Sequence, residues 1–167
     1  MALHFGHRVS IDIDLFTHET FDAESLRADI EKEFSVVESS SSNNSVTGVI
    51  EGVKVDFIAH QYALINDVAR IDGLRLLNVE DIAAMKLNAI ANRGSKKDFF
   101  DIFELLQHFS WDNLFKFYSL KYPSASLWVL EKSLTYFDDA EAEPNPGGLK
   151  GRTWEEVKTG ILKRMRL

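Results

Sequence analysis

The sequence predicts an α+β protein, a small mixed β-sheet with flanking helices followed by an all-helical C-terminal part. Three observations carry that expectation. Clean period-2 runs all fall before His60, helical periodicity begins at Asn78 and persists nearly to the end, and the hydrophobic content of 45 % includes 12 Phe and 3 Trp. Strands and helices segregated along a chain favour helices on one side of a sheet over an alternating α/β arrangement. A sheet core over residues 1–72 and a helical part over 73–167 are expected. A chain of 167 residues suits one domain, or one core with a helical extension, and can bury about 70 % of its unfolded surface without covalent staples.

Composition excludes several function classes. The absence of cysteine removes disulfides, thiolate metal sites and cysteine nucleophiles together. No apolar run approaches the roughly 20 residues of a membrane span, and the opening Met1 to Arg8 is too short and polar for a signal peptide. A cytoplasmic location with no membrane partner is therefore expected. The net charge is −7, from 26 acidic and 19 basic residues, so any contact with a polyanion must come from a local basic patch. Two such patches are visible, Arg93-Gly-Ser-Lys-Lys97 and Lys163-Arg164-Met-Arg166.

Taken in order, Val9 to Phe16 alternates as a strand, with Val9, Ile11, Ile13 and Leu15 on one face and Ser10, Asp12, Asp14 and Phe16 on the other. Phe21 to Phe34 reads as a helix capped by Asp22, because Leu26, Ile30 and Phe34 recur one turn apart. Val36 to Glu38 suits a short strand, and the polar run Ser39 to Ser45 suits a loop. Val46 to Ile58 reads as a hairpin around Glu51-Gly52, with Lys54, Asp56 and Ile58 on one face of its second arm. Asn78 caps a helix to about Asn92, with Ile82, Met85, Ala89 and Ile90 inward and Gly94 as its αL stop. Ser95 opens the next helix, whose Phe99, Ile102, Phe103 and Leu106 are expected to be buried. Further helices follow over about Trp111 to Leu120 and Ser124 to Phe137. A Pro/Gly loop spans Asp138 to Gly151, and a last helix begins at the capping box Thr153-Trp-Glu-Glu156.

The chemistry is concentrated on the first strand. Residues two apart on a strand point the same way, about 7 Å apart along it, so Asp12 and Asp14 project side by side. Their repulsion is relieved by a divalent cation, and Mg²⁺ takes one or two carboxylates together with substrate phosphates. Asp56 is the candidate third carboxylate if its strand lies beside the first. An edge strand with a solvated polar face is the competing reading, but Asp is disfavoured in strands and these are flanked by strong β-formers.

The blocks Gly6-His-Arg-Val-Ser-Ile-Asp-Ile-Asp-Leu-Phe-Thr17, Gly52-Val-Lys-Val-Asp-Phe-Ile58, Glu80-Asp-Ile-Ala-Ala-Met-Lys86, Arg93-Gly-Ser-Lys-Lys-Asp-Phe-Phe-Asp-Ile102 and Tyr136-Phe-Asp-Asp-Ala140 occur in that order. Together they resemble the AbiEii/AbiGii-type nucleotidyltransferase toxin family, within the polymerase-β-like nucleotidyltransferase superfamily. The resemblance implies a nucleotidyltransferase-like sheet, and transfer of NMP from an NTP substrate to an RNA, such as tRNA, or a protein acceptor. It further implies Mg²⁺ on Asp12, Asp14 and Asp56, and a cognate antitoxin as partner. The family's basic and acidic helix residues map to Lys86 and to Asp98 or Asp101. The superfamily also places a Gly-Gly-Ser/Thr turn shortly before the Asp-x-Asp strand, and Ala2 to Phe5 matches the tail of the helix after it. A chain lacking the turn is expected to bind NTP poorly, which makes an RNA- or protein-binding module the alternative function.

Lys86 and Arg93, seven residues apart, lie nearly on one helical line with Lys97 beyond the turn, as a phosphate-contacting row or as a solvated face. His7, Arg8 and Ser10, at the entrance to the carboxylate strand, join Arg93 and Lys97 as candidate nucleotide contacts. Asp98 is the favoured functional acid, while Asp101 is expected to pair with Lys97 at i,i+4.

Overall fold

The computed structural model describes residues 1–149 and 151–165, so Arg166 of the second basic patch lies outside the described residues. The chain forms two compact units, one of Ser10–Ala63 and one of Met1–Val9 with Leu64–Leu167.

In the first unit, β1 (Asp12–Thr17), α2 (Ala23–Glu33), β2 (Val36–Ser42), β3 (Ser45–Ile50) and β4 (Val53–Ala59) build a four-stranded mixed sheet of order β1-β4-β3-β2. The β1–β4 pair is parallel and the other two are antiparallel. The first strand starts at Asp12, three residues later than alternation suggests, because its partner β4 begins only at Val53 and the N–H of Val9 bonds instead to the carbonyl of Gly147. Asp22 caps α2 through its Oδ1, which accepts from the N–H of Ser25 at 2.7 Å. That helix packs over β2 and β3 and buries Ile30. The apolar face of β1 is left half-exposed at Ile13 and Leu15.

The expected loop at Ser39 to Ser45 is a strand instead. The pairing partner β3 supplies backbone hydrogen bonds along Ser40, Ser41 and Ser42, with Asn43–Asn44 as the turn. Ser39 and Ser41 donate their hydroxyls to Glu31 and Glu24 of α2. A register shift between Val37 and Ser40, with Glu38 at φ 53°, absorbs the irregularity. The predicted Glu51-Gly52 hairpin forms with φ of 51° and 80° at its two turn residues, the conformation that a two-residue turn needs to match strand twist.

The second unit opens with the short helix α1 (Ala2–Phe5) and resumes with a two-stranded hairpin, β5 (Ala69–Ile71) and β6 (Leu74–Leu76). It continues with α3 (Val79–Asn92), α4 (Lys96–Leu105), α5 (Trp111–Lys121), α6 (Leu127–Leu134), α7 (Asp138–Glu141) and α8 (Trp154–Met165). Gly94 takes φ 58° after α3, as expected of an αL stop. Both capping boxes, Ser110 with Asn113 and Thr153 with Glu156, are formed. The buried line of α3 is Ala83, Ala84, Leu87 and Ile90, and the expected Ile82, Met85 and Ala89 are only partly buried. Two small alanines let α4, α5 and α6 approach α3 closely, so the inward stripe follows its flattest side. On α4, Phe100 and Leu105 join Phe99, Ile102 and Leu106 in the core while Phe103 is partly buried. Helix α6 is shorter than its apolar run because Ser126 caps it, and one helical turn, α7, interrupts the predicted loop after Phe137.

A buried ion pair ties this core together. Lys121 on α5 meets Asp81 on α3 at 2.7 Å, both side chains fully enclosed, and Asp81 also accepts the N–H groups of Ile65 and Asn66. No helix among the described residues is long and apolar enough to cross a membrane.

Candidate active site

The carboxylate face of the sheet follows from strand register. Asp14 of β1 lies directly beside Asp56 of β4, and Asp12 directly beside Lys54. Parallel neighbours in register point to the same side, so Asp12, Asp14, Asp56 and Lys54 share one face with Thr47, which lies opposite Asp56 on β3. Thr47 donates its hydroxyl to Asp56 Oδ1 at 2.6 Å, and Lys54 Nζ donates to Asp56 Oδ2 at 2.6 Å. The hydrogen bond from Lys54 to Asp56 raises the lysine pKa, and the charges of Asp56, Asp12 and Asp14 add to that rise. Lys54 is therefore the cation that this acidic face already carries. Sequence reading placed it on the face of Asp56 without assigning it a role. The signal was present, a lysine two residues before the acid on one strand.

The donor set is oxygen only and suits a hard cation. Among the described residues no group of three or more His, Cys, Asp or Glu side chains is arranged to hold a metal ion. Mg²⁺ does not need such a cage, since it keeps several waters and takes one or two carboxylates plus substrate phosphate oxygens. The adjacent Asp12 and Asp14 fit that requirement. Asp56 lies beside Asp14 with its two oxygens already accepting from Thr47 and Lys54.

The helical unit holds a separate charge cluster. Asp101, fully buried on α4, accepts from His7 Nε2 at 2.7 Å and from Arg8 through Nε at 2.7 Å and Nη2 at 2.9 Å. Lys86 Nζ lies 2.7 Å from Asp101 and 3.0 Å from Asp98. Asp98, also fully buried, accepts further from Ser95 Oγ at 2.6 Å and Arg93 Nε at 3.2 Å. The Asp101 carboxylate is thus engaged by His7, Arg8 and Lys86, partners that lie up to 94 residues away in sequence. His7 Nδ1 is buried without a hydrogen-bond partner among the described residues, so the ring donates through Nε2.

Burial alone would raise the pKa of both acids. For Asp101 the hydrogen bonds from His7 and Arg8 and the charge of Lys86 outweigh it, and hold the carboxyl well below the usual range. Lys86 and Ser95 do the same for Asp98. Burial would lower the Lys86 ammonium, but the charges of Asp101 and Asp98 raise it instead. Of the cations around the two carboxylates, Arg93 is the most exposed. Lys86 and Arg93, predicted on one helical line, converge on Asp98. Ser10 is exposed just before β1, and Lys97 is half-buried.

Comparison with solved structures shows that the fold is nucleotidyltransferase-like. A candidate nucleotidyltransferase from H. pylori matches at TM-score 0.54 and 18 % identity over 98 % of this chain and 80 % of that one. JHP933 from Helicobacter pylori matches at TM-score 0.55 and 18 % identity over 99 % and 79 %. The family model described as nucleotidyl transferase AbiEii toxin, type IV toxin–antitoxin system, matches residues 1–146, and the chain belongs to that family. It is also 35 % identical over 172 aligned residues to the uncharacterized protein aq_aa25 of Aquifex aeolicus (strain VF5), covering 99 % of this chain and 82 % of that protein.

Proposed function

We propose that this chain transfers a nucleoside monophosphate from an NTP to an RNA acceptor, with Mg²⁺ held by Asp12 and Asp14, as the toxin partner of a cognate antitoxin. The observation that carries the reading is the shared face of Asp12, Asp14 and Asp56 on two parallel strands in register. Bound Mg²⁺ would screen the triphosphate charge and lower the pKa of the acceptor hydroxyl. In the transfer, the acceptor hydroxyl loses its proton to solvent, its oxygen forms a bond to the α-phosphorus, the bond from that phosphorus to the bridging oxygen breaks, and pyrophosphate leaves.

The protein's own groups divide the work. Asp12 and Asp14 supply the ligands. Lys54 and Thr47 fix Asp56 and moderate the repulsion among the three acids before substrate arrives. In the helical unit, Lys86 and Arg93 are the candidate phosphate contacts. Asp98 has no exposed surface to offer an acceptor, so its role is to position those two cations, and Asp101 does the same for Arg8 and Lys86.

The reaction class is tested with Mg²⁺ and each NTP labelled in turn at the α- or γ-phosphate, using bulk tRNA as acceptor. Label entering tRNA from the α position, with pyrophosphate released, is the expected result. Transfer of the γ label with release of NDP would make the protein a phosphotransferase. Binding of tRNA with no NTP binding at millimolar concentration would make it a binding module.

A further inference from the structure

The charge balance requires a local basic surface for any contact with a polyanion, and most cations of the described residues are already committed. Arg8, Lys54, Lys86, Arg93, Lys121 and Arg152 each face a carboxylate. The β5–β6 hairpin differs. Arg70 and Arg75 are directly opposite each other across its two strands, both exposed. Neither makes an ion pair among the described residues. Asp72, the acid nearest in sequence, sits in the turn at φ 50° beside Gly73 at φ 80° and pairs with neither arginine. Directly opposed side chains on a sheet have Cβ atoms about 5 Å apart, and like charges placed so are destabilising. The next register pair, Ile71 and Leu74, points to the other face and is 48 % and 60 % exposed. A two-stranded ribbon is marginal by itself, yet this one carries an uncompensated charge pair.

We propose that the β5–β6 hairpin is an RNA-backbone contact, in which Arg70 and Arg75 together hold phosphodiester oxygens of the acceptor. Two guanidinium forks side by side present parallel N–H donors to the non-bridging oxygens of one or two adjacent phosphates, and the anion removes the repulsion between them. The contact is blind to sequence, since it reads only phosphate. It rests on the RNA-acceptor reading above and adds the surface that would recognise it.

The test uses Arg70→Glu in the full chain, because the new acid pairs with Arg75. That substitution should raise the melting temperature or leave it unchanged, whereas a merely structural arginine would lower it. Bulk tRNA binding, followed by fluorescence anisotropy across a salt series, should weaken at least tenfold. The plot of log affinity against log salt should flatten by about 1.4 to 1.8, the loss of two phosphate contacts. Arg70→Lys with Arg75→Lys should keep most of the affinity. If Arg70→Glu does not fold, Arg70→Gln with Arg75→Gln removes both charges and is read in the same way. Affinity within twofold of wild type with an unchanged slope overturns the proposal, as does a wild-type protein that binds no tRNA at low salt. Failure of the transferase reading is distinct: wild type would then move no label from NTP, while the difference in tRNA affinity between wild type and variant would still decide the hairpin's role.

Discussion

Asp101 shows how one side chain can organise a distant imidazole and two distant cations. It is enclosed on α4, and removing its charge takes a buried carboxylate away from both Arg8 and Lys86, the latter keeping Asp98. Breaking a buried pair in this way costs about 3–5 kcal/mol, so Asp101→Asn should lower unfolding stability by about that much in urea titration. The pH dependence has a definite sign. Asp98 and Asp101 have folded pKa values below their ordinary 3.8, so their stabilisation is complete above the unfolded value and is lost as pH falls below it. Acid titration of stability should therefore be steeper in wild type below about pH 4 than in Asp101→Asn. Lys86 works in the opposite direction. Its raised pKa contributes stability that is present below its ordinary 10.5 and is lost as pH rises through the folded value. Lys54 is half-exposed, so Lys54→Met should cost under about 1 kcal/mol. The variant should also gain a larger Mg²⁺-induced rise in melting temperature than wild type, because its carboxylate face has lost its internal cation. Differential scanning fluorimetry with and without Mg²⁺ measures both effects.

At the scale of elements, what could be read from the sequence was what depends on neighbours along the chain. Alternation placed Asp12 and Asp14 on one side of β1, and Asp22, Gly94 and Thr153 marked helix ends through their own local hydrogen bonds or backbone freedom. Features set by distant partners were not legible. The Ser/Asn run has loop composition, and it becomes β2 only because β3 returns alongside it. The inward side of α3 is decided by which helices pack on its alanines, not by its largest side chains. The β5–β6 hairpin carried an Asp72-Gly73 turn signal, but three-residue strands are too short for alternation to declare them. Of the site, the three strand acids and the candidacy of Lys86 were legible. The reach of His7 and Arg8 to Asp101 was not, because it does not follow from spacing, whereas the Lys54–Asp56 bond was signalled by two residues sharing a strand face. Asp81 and Lys121 illustrate the same limit, a fully enclosed pair across 40 residues. Lys121→Met leaves Asp81 enclosed with only backbone N–H partners from Ile65 and Asn66. It should destabilise the helical unit by about 3 kcal/mol, measured by chemical denaturation.

For the molecule as a whole, family membership and a nucleotidyltransferase-like sheet give the Asp12/Asp14 strand its meaning, and a chain of net charge −7 confines polyanion recognition to particular surfaces. On the proposed reading, these two carboxylates carry the transfer. The measurement that tests it most directly is NMP incorporation into tRNA from α-labelled NTP with Mg²⁺, by wild type and by Asp12→Asn and Asp14→Asn. These isosteric changes remove charge from a largely solvent-facing strand and should leave the melting temperature unchanged or slightly higher, since they relieve repulsion. Wild type should incorporate label, and each folded variant should lose at least a hundredfold of that activity. Incorporation at the wild-type rate in either variant would contradict that reading.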